Sequence, residues 1–413
     1  MNKKIIIFML CIGITLSFLT VRWIEEKQNN KKVNIPDKNL ESLIREEIGK
    51  MNGPLYVRDL KKITRLDMDN RYIENLEGLQ YCVNLVYLVQ HCGGITDLSP
   101  LSNLSKLEHL NLGVNPVSDI SPLSTLKNLT YLSIYQSNVS DLSPLSELTS
   151  LEKLDLKHNK ISDISPLSNL TNLTELEIGG NYVSDIASIS KLKNLTKLNL
   201  ERNDITDVSP LTSLTSLRIL ILRDNKISDI SPLSNLTNLT ELEIGGNYVS
   251  DIAPLKYLSD LKWLDISDNK ISDISSLSNL TNLEFLLVSK NNISDIFPLT
   301  SLINLRELNL AENNISDISP LIELSEKMKN MLIVDIRENP IDSRSLKELE
   351  KRVELRETAP ESPIPILSST PPSTETYFST TPLPSHEYHR FIYLGIIGVS
   401  VVLILIVHIN RKK

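Results

Sequence analysis

Aromatic residues are scarce in this chain and make up only 5% of its 413 residues. A core of ordinary size therefore has to be built from leucine and isoleucine. The sequence also lacks a cluster of basic residues, because its net charge is −8 and charges of both signs are mixed along the chain. We therefore expect no nucleic-acid partner, since binding to phosphates needs clustered lysine and arginine.

Cysteine is nearly absent, with three copies and no CxxC pair that would suggest a zinc knuckle. Cys11 lies in an apolar terminal segment. Cys82 falls on a core position of the repeat described below and is expected to act as a small apolar residue. Cys92 falls at the exposed end of a predicted strand, so the strand between them would hold these two cysteines too far apart for a disulfide.

Catalytic and metal-binding constellations are also lacking. His109 and His158 have no plausible Cys or Ser nucleophile arranged with them. The acidic pairs Glu175 with Glu177 and Glu241 with Glu243 sit three repeats apart, whereas a hard cation needs about six converging oxygens. We therefore predict a non-enzymatic protein without metal or cofactor.

The dominant feature is a 22-residue repeat that runs from about residue 63 to residue 341. One copy reads Leu151-x-x-Leu154-x-Leu156-x-x-Asn159-x-Ile161-x-Asp163-Ile164-x-Pro166-Leu167-x-x-Leu170. Others begin at Leu173, Leu195, Leu217, Leu239, Leu261, Leu283 and Leu305. A single unit cannot bury its leucines, but a stack of units shares one continuous core.

Positions within the unit, counted from its first leucine, predict the local structure. Positions 4 and 6 alternate as in a short strand, so positions 3, 5 and 7 face outward and form the predicted concave face. The asparagine at position 9 can satisfy backbone groups of neighbouring coils. Ser165 before Pro166 suits the start of one 3₁₀ turn, with the serine as its cap. The sequence predicts an α/β solenoid of about 12–13 coils, with a parallel concave sheet and 3₁₀ turns on the convex side.

The ends of this stack need covers, and the flanking segments predict them. Residues 33–62 read as a helical N-terminal cap, in which Asp37 caps a helix carrying Leu40, Leu43, Ile44 and Ile48 on one face. The leucine-rich repeats span residues 63–342. Residues 343–356 read as a closing C-terminal helix.

Both chain termini carry apolar segments. Residues 1–22 combine a basic start with an apolar run and predict a signal peptide or an uncleaved signal-anchor. Residues 357–390 are rich in Pro, Ser and Thr and predict an extended stalk. Residues 391–409 are long and apolar enough for a transmembrane helix, and the basic residues 410–413 that follow predict a cytoplasmic tail.

This pattern resembles the internalin-type leucine-rich repeat proteins of bacterial cell surfaces over residues 33–356. The motifs that carry the resemblance are Asp-Ile-Ser-Pro-Leu at Asp163 to Leu167 and at Asp229 to Leu233, Asp59-Leu60-x-x-Ile63-Thr64-x-Leu66, Leu76-Glu77-Gly78-Leu79, and Pro36-Asp37-x-x-Leu40. The resemblance implies a curved solenoid that binds a protein or a glycan on its concave face. The family's immunoglobulin-like module is not found after the repeats, and Leu383-Pro384-Ser385-His386-Glu387 lacks the Thr-Gly of a sortase signal.

Three groups of apolar side chains interrupt the polar concave face and are the candidate ligand-binding residues. They are Tyr87, Tyr131 and Tyr135 (with Val89) near the N-terminal end, Ile219 and Ile221 in the middle, and Trp263, Phe285 and Leu287 toward the C-terminal end. Exposed aromatic side chains in a row are typical of binding hot spots, although single apolar residues on a surface are ordinary.

These observations favour a membrane-anchored cell-surface protein that binds an extracellular protein, or a glycan, in the manner of an adhesin or receptor. The membrane would hold it through the C-terminal helix, and also through the N-terminal segment if that segment is retained. Two alternatives stay open. One is a structural cell-envelope protein that contacts its neighbours, and the other is a regulatory scaffold for a phosphatase.

Overall fold

The apolar positions of the repeat point inward and form one continuous hydrophobic core. In the computed structural model, which describes residues 20–69, 71–329 and 331–356, every coil contributes the same inward set. In one coil the set has at most 1% of its surface exposed and consists of Leu151, Leu154, Leu156, Ile161, Ile164, Leu167 and Leu170. Each such side chain stabilises the fold by about 1.5–3 kcal/mol through burial. Cys82 takes one of these core positions, and burial raises the pKa of its thiol to about 12.

Two short strands, β1 Lys32–Val33 and β2 Leu55–Tyr56, precede the repeats. Among the described residues, fourteen parallel strands then follow in chain order and form the predicted sheet. Their bounds are β3 Arg65–Asp67, β4 Tyr87–Val89, β5 His109–Asn111, β6 Tyr131–Ser133, β7 Lys153–Asp155, β8 Glu175–Glu177, β9 Lys197–Asn199, β10 Ile219–Ile221, β11 Glu241–Glu243, β12 Trp263–Asp265, β13 Phe285–Leu287, β14 Glu307–Asn309, β15 Ile333–Asp335 and β16 Glu354–Leu355. Residues 22 apart are direct partners across most strand pairs, as in Leu154 beside Leu176. The predicted leucine-rich repeat solenoid is therefore confirmed.

The return limb of each coil is a short 3₁₀ helix. These helices are Leu79–Tyr81, Ser99–Leu101, Ser121–Thr125, Ser143–Leu145, Ser165–Asn169, Ala187–Lys191, Ser209–Ser213, Ser231–Asn235, Ala253–Tyr257, Ser275–Asn279 and Phe297–Ser301. The predicted serine cap is wrong in detail. Ser165 is the first residue of the helix, and Ile164 is the cap position. Asp163, one residue before the cap, accepts a hydrogen bond of 2.8 Å at Oδ1 from the backbone N–H of Ser165.

The asparagine at position 9 joins each coil to the one before it. Asn159 Nδ2 donates to the carbonyl oxygen of Ile134 in the preceding coil, at 2.7 Å, and to that of Leu156 in its own coil, at 3.0 Å. Its Oδ1 accepts from the backbone N–H of Val139 at 2.9 Å. The same contacts recur wherever position 9 is an asparagine, so one side chain pairs the buried backbone groups of the turn. Among the coils that depart from this pattern, two carry Gly93 and Ser137 at position 9.

The residue before this asparagine lies in the left-handed region of backbone space in coil after coil. Val114 has a φ of 59° and His158 has a φ of 54°, which non-glycine residues rarely adopt. Gly180 and Gly246 occupy the same position. A Cβ at either glycine would also clash with a side-chain atom of the preceding coil, in His158 and Asp224 respectively, so those exposed side chains would have to shift.

The N-terminal cover is less helical than the sequence predicts. Its helix Lys38–Glu47 begins at Asp37, whose side chain accepts hydrogen bonds from the N–H groups of Asn39 and Leu40. An antiparallel pair, β1 Lys32–Val33 and β2 Leu55–Tyr56, and a short helix Val57–Leu60 complete the segment.

The C-terminal cover also differs from the sequence prediction. A nine-residue helix, Ser319–Lys327, replaces the last 3₁₀ turn and absorbs a four-residue insertion, so that Glu307 pairs with Ile333. The closing helix is shorter than residues 343–356 and covers Ser343–Leu349. The chain then adds β16 to the sheet edge, where it pairs with β15.

Four of the expected terminal segments fall wholly or largely outside the described residues. They are the signal or anchor at 1–22, of which only residues 20–22 are described, the stalk, the span at 391–409 and the tail. Over the ranges that the structure does describe, no helix has the length and apolar character needed to cross a membrane.

The asparagine contacts predict a specific stability loss. In Asn225→Ala, the buried N–H of Ile205 loses its acceptor. The carbonyl oxygens of Leu200 and Leu222 each lose one of two asparagine donors and keep the other, from Asn203 and Asn247 respectively. Since a buried polar group without a partner costs about 1–3 kcal/mol, we expect the free energy of unfolding to fall by at least that amount. Urea unfolding of the full chain, followed by circular dichroism, measures it. Asn235→Ala, at an exposed position of a 3₁₀ helix, is the control, and an equal loss in both variants would contradict the assignment.

Candidate ligand-binding face

The sheet register arranges the outward side chains of the concave face in columns. Position 3 of successive coils gives the column Arg65, Tyr87, His109, Tyr131, Lys153, Glu175, Lys197, Ile219, Glu241, Trp263, Phe285, Glu307 and Ile333. Neighbouring strands are about 4.8 Å apart, so flat side chains in one column can stack. Position 5 and position 7 form two further columns beside it.

The N-terminal part of the position 3 column is a continuous stack. The Arg65 guanidinium lies 3.6 Å from the centroid of the Tyr87 ring. The centroids of Tyr87 and His109 are 4.4 Å apart, and those of His109 and Tyr131 are 4.1 Å apart, with nearly parallel ring planes. Burial lowers the pKa of His109 to about 4, and the charge of Arg65 adds to the effect. The imidazole is therefore neutral at physiological pH.

Tyr135 lies in a different column from this stack. It occupies position 7, and its ring covers Gly113 closely enough that a Cβ at that glycine would collide with it. Its ring centroid is 6.2 Å from that of His91, whose Nδ1 is 2.8 Å from the carboxylate of Asp69. Burial raises the pKa of the Tyr135 hydroxyl. The predicted tyrosine group is thus two separate features, and Val89 beside it is buried.

The middle pair contains a residue that is not available to a ligand. Ile219 is half-buried, but Ile221 is only 1% exposed. Ile221 is flanked in the sheet by Asn199 and Glu243, which are themselves buried. The prediction that Ile221 is an exposed part of the binding surface is therefore wrong, because almost none of its side chain is open to solvent.

Trp263 and Phe285 are direct partners on β12 and β13, as their shared position predicts. Their ring centroids are 4.9 Å apart with planes tilted by 32°, and both side chains are half-buried. Leu287, half-buried at position 5 of β13, lies between Asp265 and Asn309. These three residues form the C-terminal apolar patch. The indole nitrogen of Trp263 is buried and has no hydrogen-bond partner among the described residues.

Charged side chains separate the two aromatic regions. Glu177 Oε1 is 2.7 Å from Lys197 Nζ and Glu177 Oε2 is 3.2 Å from Lys157 Nζ. Burial by itself would raise the pKa of Glu177, but the two lysines outweigh it and hold the pKa below its ordinary value. Glu175 pairs with Lys153 at 2.6 Å.

A second acidic group lies next to the C-terminal apolar patch and has less compensation. Arg223 Nη1 is 3.4 Å from Glu243 and 3.2 Å from Asp265, so a single guanidinium serves both carboxylates. Burial raises the pKa of Glu243 to about 7, with Asp265 and Glu241 adding to the rise against Arg223. Burial also raises the pKa of Glu241.

The sequence prediction considered Glu241, Glu243 and His109 only for metal binding or catalysis and did not include them among the ligand-binding residues. It did not single out Arg65 or Asp265. All of these residues could have been identified from the same 22-residue spacing that places Trp263 beside Phe285. Over the described residues, no cluster of three or more His, Cys, Asp or Glu side chains is arranged to hold a metal ion.

Comparisons with known proteins agree with this architecture. The family model described as "Leucine Rich repeats (2 copies)" matches residues 105–147, 127–169, 149–191, 171–213, 215–257, 259–301 and 281–326. The crystal structure of internalin InlF from Listeria monocytogenes is 38% identical, with a TM-score of 0.73, and the match covers 79% of this chain and 96% of that chain. Among curated proteins, none matches this sequence significantly.

More distant structures share the fold alone. The leucine-rich repeat protein LIC12759 of Leptospira interrogans is 21% identical, with a TM-score of 0.57 and coverage of 73% of this chain and 97% of that chain. The plant peptide hormone receptor RGFR1, solved in complex with RGF2, is 20% identical, with a TM-score of 0.56 and coverage of 73% and 60%.

The two acidic sites predict opposite effects of the same substitution on stability. Glu177→Gln removes a carboxylate that two lysines hold charged, so we expect the free energy of unfolding at pH 8 to fall by about 1–3 kcal/mol. Glu243 has a raised pKa, so the folded state binds an extra proton between the ordinary value of 4.5 and about 7. Stability from this group is therefore lost as the pH rises through that window.

We accordingly expect Glu243→Gln to be more stable than the wild-type protein at pH 8, with the gain shrinking as the pH falls to 5. Thermal unfolding of the full chain at several pH values measures both variants. Equal losses for Glu177→Gln and Glu243→Gln at pH 8 would contradict the difference in charge compensation.

Proposed function

This chain belongs to the internalin-type leucine-rich repeat family, and from that premise we propose that its concave face binds an extracellular protein ligand. Solenoids of this fold can take such partners, since RGFR1 is a peptide hormone receptor solved with RGF2. That likeness is one of fold only, so the argument for this chain rests on its own surface.

The observation that carries the proposal is the C-terminal apolar patch. Trp263, Phe285 and Leu287 are held side by side on rigid strands, and each keeps part of its surface open to solvent. The position 7 neighbours of this patch, Ser267 and Ser289, are small, so a ligand side chain can approach the rings. Rigid aromatic side chains in such a setting lose little conformational entropy on binding and are enriched among hot spots.

The stacking geometry favours a protein over a glycan. A sugar ring packs against the open face of an aromatic ring, but both faces of Tyr87 and of His109 and one face of Tyr131 are already occupied in the N-terminal stack. Arg65 covers one face of Tyr87, and Tyr87 and Tyr131 cover the two faces of His109. The stack therefore offers ring edges and hydroxyl groups, which suit hydrogen bonding to a polypeptide.

We propose a binding role rather than catalysis on this face. His109 is held between two tyrosine rings, and His91 Nδ1 contacts Asp69. Neither imidazole has a nucleophile among its hydrogen-bond partners in the described part of the chain, as nucleophilic catalysis would need.

We propose that the repeats are displayed outside a membrane that residues 391–409 span. The support is the sequence of that segment, which is apolar over enough residues to cross a bilayer, and the basic residues after it.

The C-terminal apolar patch predicts a loss of ligand binding on truncation. We expect Trp263→Ala combined with Phe285→Ala to weaken binding at least about 100-fold, since hot-spot residues contribute about 2 kcal/mol or more each. The partner is first recovered by cross-linking on intact cells, and its affinity for the full chain is then measured by surface plasmon resonance.

Tyr257→Ala combined with Phe297→Ala is the matched control. These aromatics are 55% and 63% exposed and lie in the 3₁₀ segments rather than on the sheet. If the control loses as much affinity as the patch variant, or if neither variant does, the C-terminal apolar patch is not the binding surface.

Display outside the cell predicts the outcome of protease treatment. We expect protease added to intact cells to release a fragment that contains residues 33–356, because the Pro-rich segment after it should be cut readily. A repeat domain that is cut only after the cells are lysed would contradict the proposed location.

A further inference from the structure

An internal duplication allows the two acidic sites of the concave face to be compared directly. Residues 161–187 and 227–253 are identical in sequence. Glu175 and Glu177 on β8 therefore correspond to Glu241 and Glu243 on β11. The two segments have the same local structure, so any difference between the sites comes from the coils on either side.

At the first site the neighbouring coils neutralise the acids. Glu175 is flanked in the sheet by Lys153 and Lys197, and Lys153 pairs with it at 2.6 Å. Glu177 is paired with both Lys197 and Lys157. The acidic side chains of this site are therefore paired with lysines of the chain itself, and we expect no charged ligand to bind there.

At the second site the flanking lysines are replaced by apolar residues. Glu241 is flanked by Ile219 on one side and Trp263 on the other. Glu243 is flanked by Ile221 and by a further acid, Asp265. Arg223 pairs with Glu243 and Asp265 but not with Glu241. The charge of Lys197 acts on Glu241, but Lys197 is itself paired with Glu177 of the first site. The three carboxylates of the second site therefore share one guanidinium of their own and carry a formal excess of negative charge when all are ionised.

This uncompensated site adjoins the C-terminal apolar patch. Glu241 and Trp263 are direct partners across β11 and β12, and Phe285 follows Trp263. An aromatic surface bordered by excess negative charge is complementary to a cationic side chain with an apolar neighbour, because a cation is attracted by both carboxylates and aromatic rings.

We propose that this site receives a lysine or arginine side chain of the protein ligand, which pairs with the half-buried Glu241 while an adjoining apolar residue packs on Trp263 and Phe285. The carboxylates of Glu243 and Asp265 are buried and contribute their negative charge from beneath the surface. This inference rests on the proposed function and specifies the chemistry of the ligand. A metal ion is a poorer occupant, since the described acids form no group suited to metal coordination.

The test uses a phage-displayed library of random peptides selected on the full chain. We expect the selected peptides to be enriched severalfold over the input library in Lys or Arg next to an aromatic or aliphatic residue. Their affinity should fall at least tenfold when Glu241→Gln and Glu243→Gln are combined. A selected peptide in which its basic residue is replaced by Gln should bind the wild-type protein as weakly as it binds this variant.

The duplication supplies a control of matched sequence. Glu175→Gln combined with Glu177→Gln makes the same chemical change in an identical segment, and its effect on peptide affinity should be less than twofold. A thermal melt of each variant confirms that both remain folded under the assay conditions.

The possible failures are distinguishable. Selected peptides that lose affinity with Trp263→Ala and Phe285→Ala but not with the Glu241 and Glu243 variant would overturn this inference and leave the proposed function intact. Peptides insensitive to both would overturn the proposed function as well. A selection without enrichment of basic residues beside apolar ones, or equal losses in the two glutamine variants, would overturn the inference.

Discussion

The hydrogen bonds of the position 9 asparagines are the interaction on which the rest of this structure depends. Each coil makes a tight turn inside the core, where its backbone groups are shielded from water. Asn159 supplies partners in its own coil and in the preceding one, which fixes the distance and register between coils. The leucines then fill a core that is already aligned, and the strands pair without offset. The left-handed turn residue before each asparagine is maintained at a local cost.

Because the strands pair in register, equivalent positions of successive repeats form columns on the concave face. Because partners are 22 residues apart, a side chain's environment is decided by the same position in the two adjoining coils. Trp263 and Phe285 become one surface for this reason, and Arg65, Tyr87 and His109 become one stack. A substitution at one position therefore changes the surroundings of residues that are distant in sequence, and function can vary while the core stays constant.

The concave candidates show how far sequence reasoning reaches. The alternation within a strand correctly predicts which side chains leave the core, and the spacing correctly predicts that Trp263 lies beside Phe285. It fails for Ile221, which is buried although its position directs it away from the leucine core, because exposure depends on the surrounding coils as well as on direction. It also merges Tyr135 with Tyr131, although position 7 and position 3 are separate columns. The closing strand β16 was missed because its two residues follow a helix and carry no repeat signal.

The sequence by itself determined the parallel solenoid, the inward leucines and the asparagine contacts, because each follows from a pattern within one 22-residue unit. Tertiary structure alone decided the electrostatic character of the face. Residues 161–187 and 227–253 are identical, yet the pKa of Glu177 is lowered and that of Glu243 is raised to about 7. The physical reason is that a buried charge responds to what lies across the sheet: two lysines in one case, and an isoleucine, an aspartate and a shared arginine in the other.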